Sequence, residues 1–408
     1  MLNIETFFNS DDAQRLFFPG RIFLGQGISG RVAELVAEHQ SVVVIVDEVF
    51  AESPLHRSVV RAVGHGRATS WIVAGPPFAQ DVMELASQLK ELPSVVVSIG
   101  GGSASDFAKS LILHHLFGTI DGVGIDKKRG MVPRSGANRP VYIAVPTTAG
   151  SGAEASRYYV TYDKNTHAKV FGKSWTLVAD WIFLDPELLA TTPPSLLVAC
   201  AFDAFVHFFE TLIARHERSP FGEMLSLDGI PRIMGALNEV IAGKRRDNDI
   251  HEQLLYGATL SGVAISNVRT GHIHEAAGAL LELVDLSHPE TLFVFFRDAA
   301  EQYLDVIGDR EQLLFSRLRL NPAFAAFSSL SDVISWWEVV FAEVGLEKKI
   351  RGAMASIQFP LEKVRRHVFE RVYSDKVWIN KECPVRLDEQ SIVDLIDRAL
   401  KRFGAVGA

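Results

Sequence analysis

Apolar runs and helical periodicities alternate along the first part of the chain. Four short runs rich in β-branched residues, each bounded by glycine or proline, predict strands over 41–48, 69–75, 94–102 and 140–148. The segments between them place apolar residues at helical spacing over 31–39, 80–92 and 105–116. Strands that alternate with helices favour a parallel, doubly wound sheet.

The pattern changes near residue 186. Long amphipathic segments replace the β-branched runs, over 195–216, 221–243 and 391–404. A chain of 408 residues is also longer than one hydrophobic core usually supports. We therefore predict an α/β domain over residues 1–186 and an all-helical domain over residues 187–408.

The composition limits the classes of partner. Hydrophobic residues make up 48% and charged residues 22%, which is typical of a globular protein. The net charge of -8 argues against nucleic acid or an anionic membrane as the main partner. The most apolar long stretch carries Asp203, His207 and Glu210, which a membrane span would tolerate poorly.

The two cysteines, Cys200 and Cys383, form neither a disulfide framework nor a cysteine-based zinc site. The N-terminal residues lack the charged and apolar regions of a signal peptide. Both observations suit a reducing compartment, and we expect a cytoplasmic protein.

Two glycine-rich segments are candidates for phosphate binding. GQGISG (25–30) matches G-x-G-x-x-G, but it lies where a short edge strand meets a helix, and a structural turn is favoured there. In GGGSASD, Gly100–Gly102 follow a predicted strand and precede a helix that begins near Ser103. Here the backbone can approach a pyrophosphate, and the helix N-terminus supplies N–H groups, so phosphate binding is favoured.

Asp47 ends the strand that follows the first glycine segment. Its carboxylate could accept hydrogen bonds from ribose hydroxyls and would repel a 2′-phosphate, which favours NAD over NADP. A solvated acidic residue after a strand is an equal alternative.

Candidate metal ligands lie in the second part of the chain. Asp203 and His207 are four residues apart and share one helix face, which makes either half of a divalent-metal site or a buried Asp–His hydrogen bond. His274 and His288 would be about 21 Å apart on an unbroken helix. The chain must therefore turn between them if both bind one ion, and VDLSHP (284–289) supplies turn and capping residues.

The segment GHIHEAAG (271–278) also contains His274-Glu275, the start of a zinc-protease motif. That motif needs a second histidine four residues after the first. Position 278 is glycine, so the sequence argues against a metalloprotease.

Five motifs in order along the chain make it resemble the iron-containing, or group III metal-dependent, alcohol dehydrogenases. They are GGGSASDFAK (100–109), PTTAGSGAE (146–154), DPELL (185–189), FDAFVHFFE (202–210) and the spacing of His274 and His288. The resemblance implies a Rossmann-like α/β dinucleotide-binding domain with a parallel sheet and an all-α metal-binding domain, in a dehydroquinate synthase-like architecture. It also implies a homodimer.

The resemblance further implies the site residues. The metal ligands, for Fe(II) or Zn(II), would be Asp203, His207, His274 and His288. The residues implied for NAD or NADP are Gly100, Gly101, Gly102 and Ser103 at the pyrophosphate, with Asp106, Thr147, Thr148 and Lys169 nearby. Phe202 and Pro289, beside two of the ligands, depart from the residues common in the family.

Gly278 departs from the family in a way that concerns the mechanism. Many members have a histidine there that is proposed to pass protons between the substrate oxygen and water. In this chain the proton would leave through water, through a ribose hydroxyl of the cofactor, or through His272.

The function that we expect is a metal-dependent, NAD(P)-linked alcohol dehydrogenase or aldehyde reductase. Arg157, RRH (365–367) and Arg371 are compatible with an anionic substrate such as a sugar acid or a phosphonate aldehyde, although solvated surface charges are the favoured explanation of these residues. The alternatives are a glycerol-dehydrogenase-like or dehydroquinate-synthase-like enzyme on the same scaffold, and a binding protein that has lost catalysis.

Overall fold

The computed structural model describes residues 16–89, 93–120, 138–166, 168–214, 219–244, 247–303, 307–373 and 388–404. The predictions that concern the N-terminal residues 1–15 and Cys383 lie outside these ranges.

A six-stranded parallel sheet forms the centre of the N-terminal part. Its strands are β1 (Arg21–Leu24), β2 (Val42–Asp47), β3 (Ala68–Val73), β4 (Val95–Gly100), β5 (Val141–Pro146) and β8 (Trp181–Leu184). Their order in the sheet is β1-β8-β5-β4-β2-β3, and every neighbouring pair is parallel. A separate antiparallel hairpin consists of β6 (Tyr158–Tyr162) and β7 (Lys169–Lys173).

Helices connect the sheet strands and cover the sheet. They are α1 (Val32–Val36), α2 (Pro54–Val63), α3 (Ala79–Gln88) and α4 (Gly102–Phe117). The central strands β2 and β4 are buried on both faces, which explains their unbroken runs of valine and isoleucine. The sequence predicted the strands β2, β3, β4 and β5 and three of these helices, and it missed α2.

The C-terminal part is helical throughout its described residues. Its helices are α5 (Pro194–Ile213), α6 (Pro220–Ile241), α7 (Asn248–Asn267), α8 (His272–Leu281), α9 (His288–Tyr303), α10 (Asp309–Leu318), α11 (Leu330–Glu343), α12 (Leu346–Ala355), α13 (Leu361–Tyr373) and α14 (Glu389–Arg402). The prediction of an α/β part followed by a helical part is confirmed.

Helix α5 is the central helix of this part. It is apolar enough to cross a membrane, with a mean hydropathy of 1.8, but 89% of that stretch is buried inside the protein. Phe202 and Phe205 pack edge-on against Phe296 of α9, and both also contact Trp337 of α11. The apolar residues of α5 therefore serve a protein core, and its polar residues lie within that core.

Two compact units make up the chain. The first comprises Met1–Thr191 and Asp247–Ser266, and the second comprises Thr192–Arg246 and Asn267–Ala408. Most of α7 thus packs with the α/β unit, because Gly262 of α7 lies against Gly152 and Thr259 donates a 2.7 Å hydrogen bond to Glu154. Whether residues 1–186 and 187–408 act as separate domains stays a prediction.

Candidate functional site

Four polar side chains of the second unit meet around one carboxylate oxygen. Asp203 Oδ1 lies 3.6 Å from His207 Nε2, 3.5 Å from His274 Nε2 and 3.9 Å from His288 Nε2. Asp203 and His207 are one turn apart on α5, whereas His274 and His288 come from the first turns of α8 and α9. These four residues are called the Asp203 cluster below, and they are the four ligands that the sequence predicted.

The separations of the three Nε2 atoms from Asp203 Oδ1 suit a shared metal ion. Asp203 Oδ1 and His274 Nε2 are buried without a hydrogen-bond partner within the described part of the chain. Ligand atoms about 2.1 Å from a tetrahedrally coordinated ion are about 3.4 Å apart, close to the two shortest separations here. One carboxylate and three imidazoles are also a donor set that divalent iron and zinc accept. The residues therefore fit a divalent metal ion.

Glu210, one turn after His207, fixes the orientation of His274. Its buried carboxylate lies 2.6 Å from His274 Nδ1 and accepts the backbone N–H groups of Gly271 at 2.7 Å and Ile273 at 2.8 Å. With Nδ1–H donated to Glu210, Nε2 is the nitrogen that faces Asp203.

Sequence reasoning missed this role of Glu210. The available signal was its spacing, because residues 203, 207 and 210 fall on one face of an otherwise apolar helix.

The charges in the cluster favour a cation. Burial acts to raise the pKa of Asp203, but the neighbouring imidazoles, His207 first, outweigh it and hold that pKa well below its ordinary value. Burial lowers the pKa of His207 to about 4 against the attraction of Asp203, which leaves a neutral imidazole. Burial also acts to lower the pKa of His274, but Glu210 and Asp203 outweigh it and raise that pKa to about 9. The carboxylates that hold a proton on His274 would equally stabilise a divalent cation.

The two histidines of the 271–278 segment occupy different surroundings. His274 belongs to the Asp203 cluster, whereas His272 is buried, with its Nδ1 3.2 Å from the hydroxyl of Tyr303. The structure thus gives His272 a hydrogen bond in the helical core, and its role as a proton relay stays a prediction. The turn predicted before His288 is present, since α8 ends at Leu281 and α9 begins at His288.

In the first unit, the carboxyl ends of β2, β4 and β5 lie side by side. Asp47 ends β2 next to Gly100, and Thr147 donates its N–H to the carbonyl of Gly100 at 3.1 Å. A Cβ on Gly100 would lie 2.8 Å from the Cβ of Asp47, and a Cβ on Gly101 would lie 2.8 Å from Thr148 Oγ1. Only glycine fits this close approach of the strand ends.

Helix α4 begins at this turn. Gly101 is its N-cap, and no side chain caps the helix. The N–H groups of its first residues, Gly102 and Ser103 among them, are therefore available to an anion, and the helix dipole favours one. The geometry of the turn is compatible with the pyrophosphate of a dinucleotide, and its role as the pyrophosphate site stays a prediction.

Asp106 lies one turn into α4 beside two lysines. Burial raises the pKa of Asp106 to about 7, against the opposing charges of Lys109 and Lys169. Lys109 is fully buried and donates to the carbonyls of Ser156 at 2.8 Å and Tyr158 at 2.6 Å. It thereby ties α4 to the chain that follows the 146–154 loop, a structural role that the sequence motif alone did not reveal.

The first glycine segment has a different partner. Gly27 and Ser29 donate their N–H groups to the carboxylate of Asp185 at 3.1 and 3.2 Å, and the Ser29 hydroxyl donates at 2.6 Å. The segment 25–30 is thus a turn held by the DPELL motif, which agrees with the structural interpretation of that segment.

The basic residues of α13 have carboxylate partners. His367 and Arg371 both contact Glu282, at 3.0 and 2.6 Å, and Arg365 contacts Asp397 at 3.3 Å. Because these basic side chains already contact carboxylates, the suggestion of a basic patch for an anionic substrate loses this support. Arg157 is buried in the first unit, with its guanidinium 4.5 Å from the ring centre of Trp175.

Together, the glycine turn at the end of β4 and the Asp203 cluster define a protein suited to a nucleotide and a divalent metal ion. Residues 19–186 match the model of the family "iron-containing alcohol dehydrogenase", and residues 197–400 match the C-terminal model of the same family. The chain belongs to the iron-containing alcohol dehydrogenase family.

Individual proteins resemble the chain in sequence or in fold. The chain is 28% identical to 4-hydroxybutyrate dehydrogenase of Clostridium kluyveri over 59% of this chain, and the match spans less than two thirds, 64%, of that relative. It resembles the structure of an iron-containing alcohol dehydrogenase from Thermococcus thioreducens, with a TM-score of 0.77 and 21% identity over 95% of this chain and 100% of that one. It also resembles a sulfoacetaldehyde reductase from Bifidobacterium kashiwanohense solved with NAD⁺, with a TM-score of 0.76 and 16% identity over 95% and 99% of the two chains.

Proposed function

We propose that the protein is a metal-dependent, NAD(P)-linked oxidoreductase that interconverts an alcohol and an aldehyde or ketone. The observation that carries this proposal is the Asp203 cluster, in which the Nε2 atoms of three imidazoles converge to within 3.5–3.9 Å of one carboxylate oxygen, Asp203 Oδ1. Family membership supports a dehydrogenase over the cyclase alternative on a similar scaffold.

Different residues of the chain would bind the metal ion and the nucleotide. When bound, the ion supplies Lewis-acid polarisation of the substrate oxygen, and the nicotinamide carries the hydride. The Asp203 cluster would hold the ion, and Glu210 presets the tautomer of His274. In the first unit, Gly100–Gly102 and the start of α4 would bind the pyrophosphate, while Thr147, Thr148 and Lys169 would line the rest of the nucleotide site.

The finer choices of metal and cofactor belong to the same proposal. Fe(II) and Zn(II) both suit an Asp/His₃ set, and metal availability decides between them. NAD is favoured over NADP because Asp47, at the end of β2, would repel a 2′-phosphate near Gly100.

We further propose a small anionic alcohol or aldehyde as the substrate, such as a sugar acid or a phosphonate aldehyde. The support is the relative named 4-hydroxybutyrate dehydrogenase, whose named substrate carries a carboxylate. The basic side chains of α13 contact a carboxylate of the chain itself and do not support an anionic substrate. A homodimer and a cytoplasmic location remain proposals from the family resemblance and the composition.

A turnover screen tests the function directly. Purified protein of measured metal content is mixed with NADH or NADPH and a panel of neutral and anionic aldehydes, and the absorbance of the reduced nicotinamide is followed. The proposal expects metal-dependent loss of that absorbance, faster with anionic aldehydes. No turnover with any aldehyde, or with the matching alcohols and oxidised cofactor, would favour a protein that binds without catalysis.

A further inference from the structure

His288 differs from the other three members of the Asp203 cluster in how it is held. Asp203 and His207 share one helix, and Glu210 orients His274. His288 has the longest separation from Asp203 Oδ1, at 3.9 Å, and its side chain is 33% exposed. His288 is also the first residue of α9, so the start of that helix sets where its Cα lies.

Glu290, two residues after His288, fixes that beginning. Its side chain is only 3% exposed, although it is a carboxylate. Its Oε2 accepts the backbone N–H of Ser287 at 2.8 Å, so it caps the residue directly before His288. A carboxylate in the first turn is also favoured by the helix dipole.

Lys349 of α12 completes the arrangement. Its Nζ donates to both oxygens of Glu290, at 2.8 and 3.0 Å. A buried carboxylate without a cation would be costly, so Lys349 is the partner that lets Glu290 stay buried. The ion pair thus joins the first turn of α9 to a second helix.

The backbone on either side of His288 is also conformationally restricted. Pro289 restricts its own φ and has no N–H. The hydroxyl of Thr291 donates to the carbonyl of His288 at 2.8 Å. With Ser287 held by Glu290, little freedom is left in the Cα–Cβ direction of His288.

We propose that Glu290 and Lys349 are positioning residues for His288, because their ion pair holds the start of α9 where His288 Nε2 can meet the ion bound by Asp203, His207 and His274. This inference rests on the metal assignment of the proposed function. It adds that metal affinity depends on two residues that do not bind the metal.

The test measures the Kd of Co(II) by competition with a chromophoric chelator, and the visible absorption of the Co(II) complex. The variants are Glu290→Gln, Lys349→Met and His288→Ala. The matched control is Glu338→Gln, which breaks the pair of Arg297 with Glu338, at 2.8 and 3.0 Å, that joins the same helix α9 to α11. Lys349→Met is the second, independent variant in case Glu290→Gln folds poorly, since the Lys349 side chain is 57% exposed.

We expect Glu290→Gln and Lys349→Met to weaken Co(II) binding about tenfold to hundredfold and to shift the Co(II) spectrum toward that of His288→Ala. Glu338→Gln should leave both readouts unchanged. Wild-type affinity and spectrum in Lys349→Met, or an equal loss in Glu338→Gln, would overturn the positioning role while the metal site stands. Undiminished Co(II) binding in His288→Ala would instead overturn the ligand assignment, and the positioning role with it.

Discussion

Glu210 is the residue on which the geometry of the Asp203 cluster depends most. It accepts three hydrogen bonds in a buried position, and one of them sets which nitrogen of His274 faces Asp203. A carboxylate in this place also strengthens the imidazole as a ligand. The proposed metal site thus extends beyond the four residues whose atoms would touch the ion.

The substitution Glu210→Gln tests this extension. Three N–H donors share the two carboxylate oxygens of Glu210. Glutamine has a similar shape, but it offers these donors only one acceptor oxygen. We expect the Kd for a divalent metal ion to rise about tenfold to hundredfold, measured by chelator competition. Glu239→Gln on α6, whose side chain is 41% exposed, is the control and should bind the ion normally. Equal affinities in the two variants would refute the role of Glu210.

Asp47 is the residue that we propose governs the choice between NAD and NADP. Replacing it with serine removes the negative charge beside Gly100 that would repel a 2′-phosphate. The ratio of kcat/KM with NADPH to that with NADH should rise at least about tenfold, equivalent to about 1.4 kcal/mol. Glu48→Gln removes the same charge from the next residue, which is exposed, and should leave the ratio unchanged. An unaltered ratio in Asp47→Ser would show that another residue selects the cofactor.

At the scale of elements, the contact between α7 and the 146–154 loop depends on two glycines. Gly152 has a φ of 57°, in the left-handed region that favours glycine, and Gly262 faces it from the helix. A Cβ on Gly262 would lie 2.0 Å from the carbonyl oxygen of Gly152. Helix α7 therefore cannot approach this loop with any larger residue at position 262.

The substitution Gly262→Ala should destabilise the protein by about 1–3 kcal/mol, because it overpacks this contact. The free energy of unfolding is measured by chemical denaturation. Gly352→Ala in α12 is the matched control, because a Cβ there meets nothing within 4 Å and alanine is the better helix former. Similar stability in the two variants would contradict the close approach of α7.

The type of an element, strand or helix, could be predicted from the sequence where the spacing of apolar residues was regular. The buried valine runs of β2 and β4 and the long apolar face of α5 are read directly from spacing. The assignment of α7 to the first unit was not predictable, because it depends on a contact between residues 152 and 262, which no local pattern records. For the same reason the sequence identified His274 and His288 only through the family resemblance, and did not identify the roles of Glu210 and Glu290.

At the scale of the whole molecule, each unit carries its own candidate site. The glycine turn lies in the first unit, and the Asp203 cluster lies in the second. The α/β unit owes its site to strand ends that meet at one edge of a parallel sheet. The helical unit owes its site to three helices that bury polar residues in an apolar core. We propose that turnover requires both sites together.

Removal and return of the metal ion tests directly whether turnover requires the metal site. The protein is stripped with a chelator, its metal content is measured, and nicotinamide-linked turnover of an accepted aldehyde is recorded before and after addition of Fe(II) or Zn(II). We predict that the stripped protein stays folded but loses turnover, and that turnover returns in proportion to the ion bound, whereas His274→Ala regains none. Full turnover by protein shown to hold no divalent metal would contradict the account.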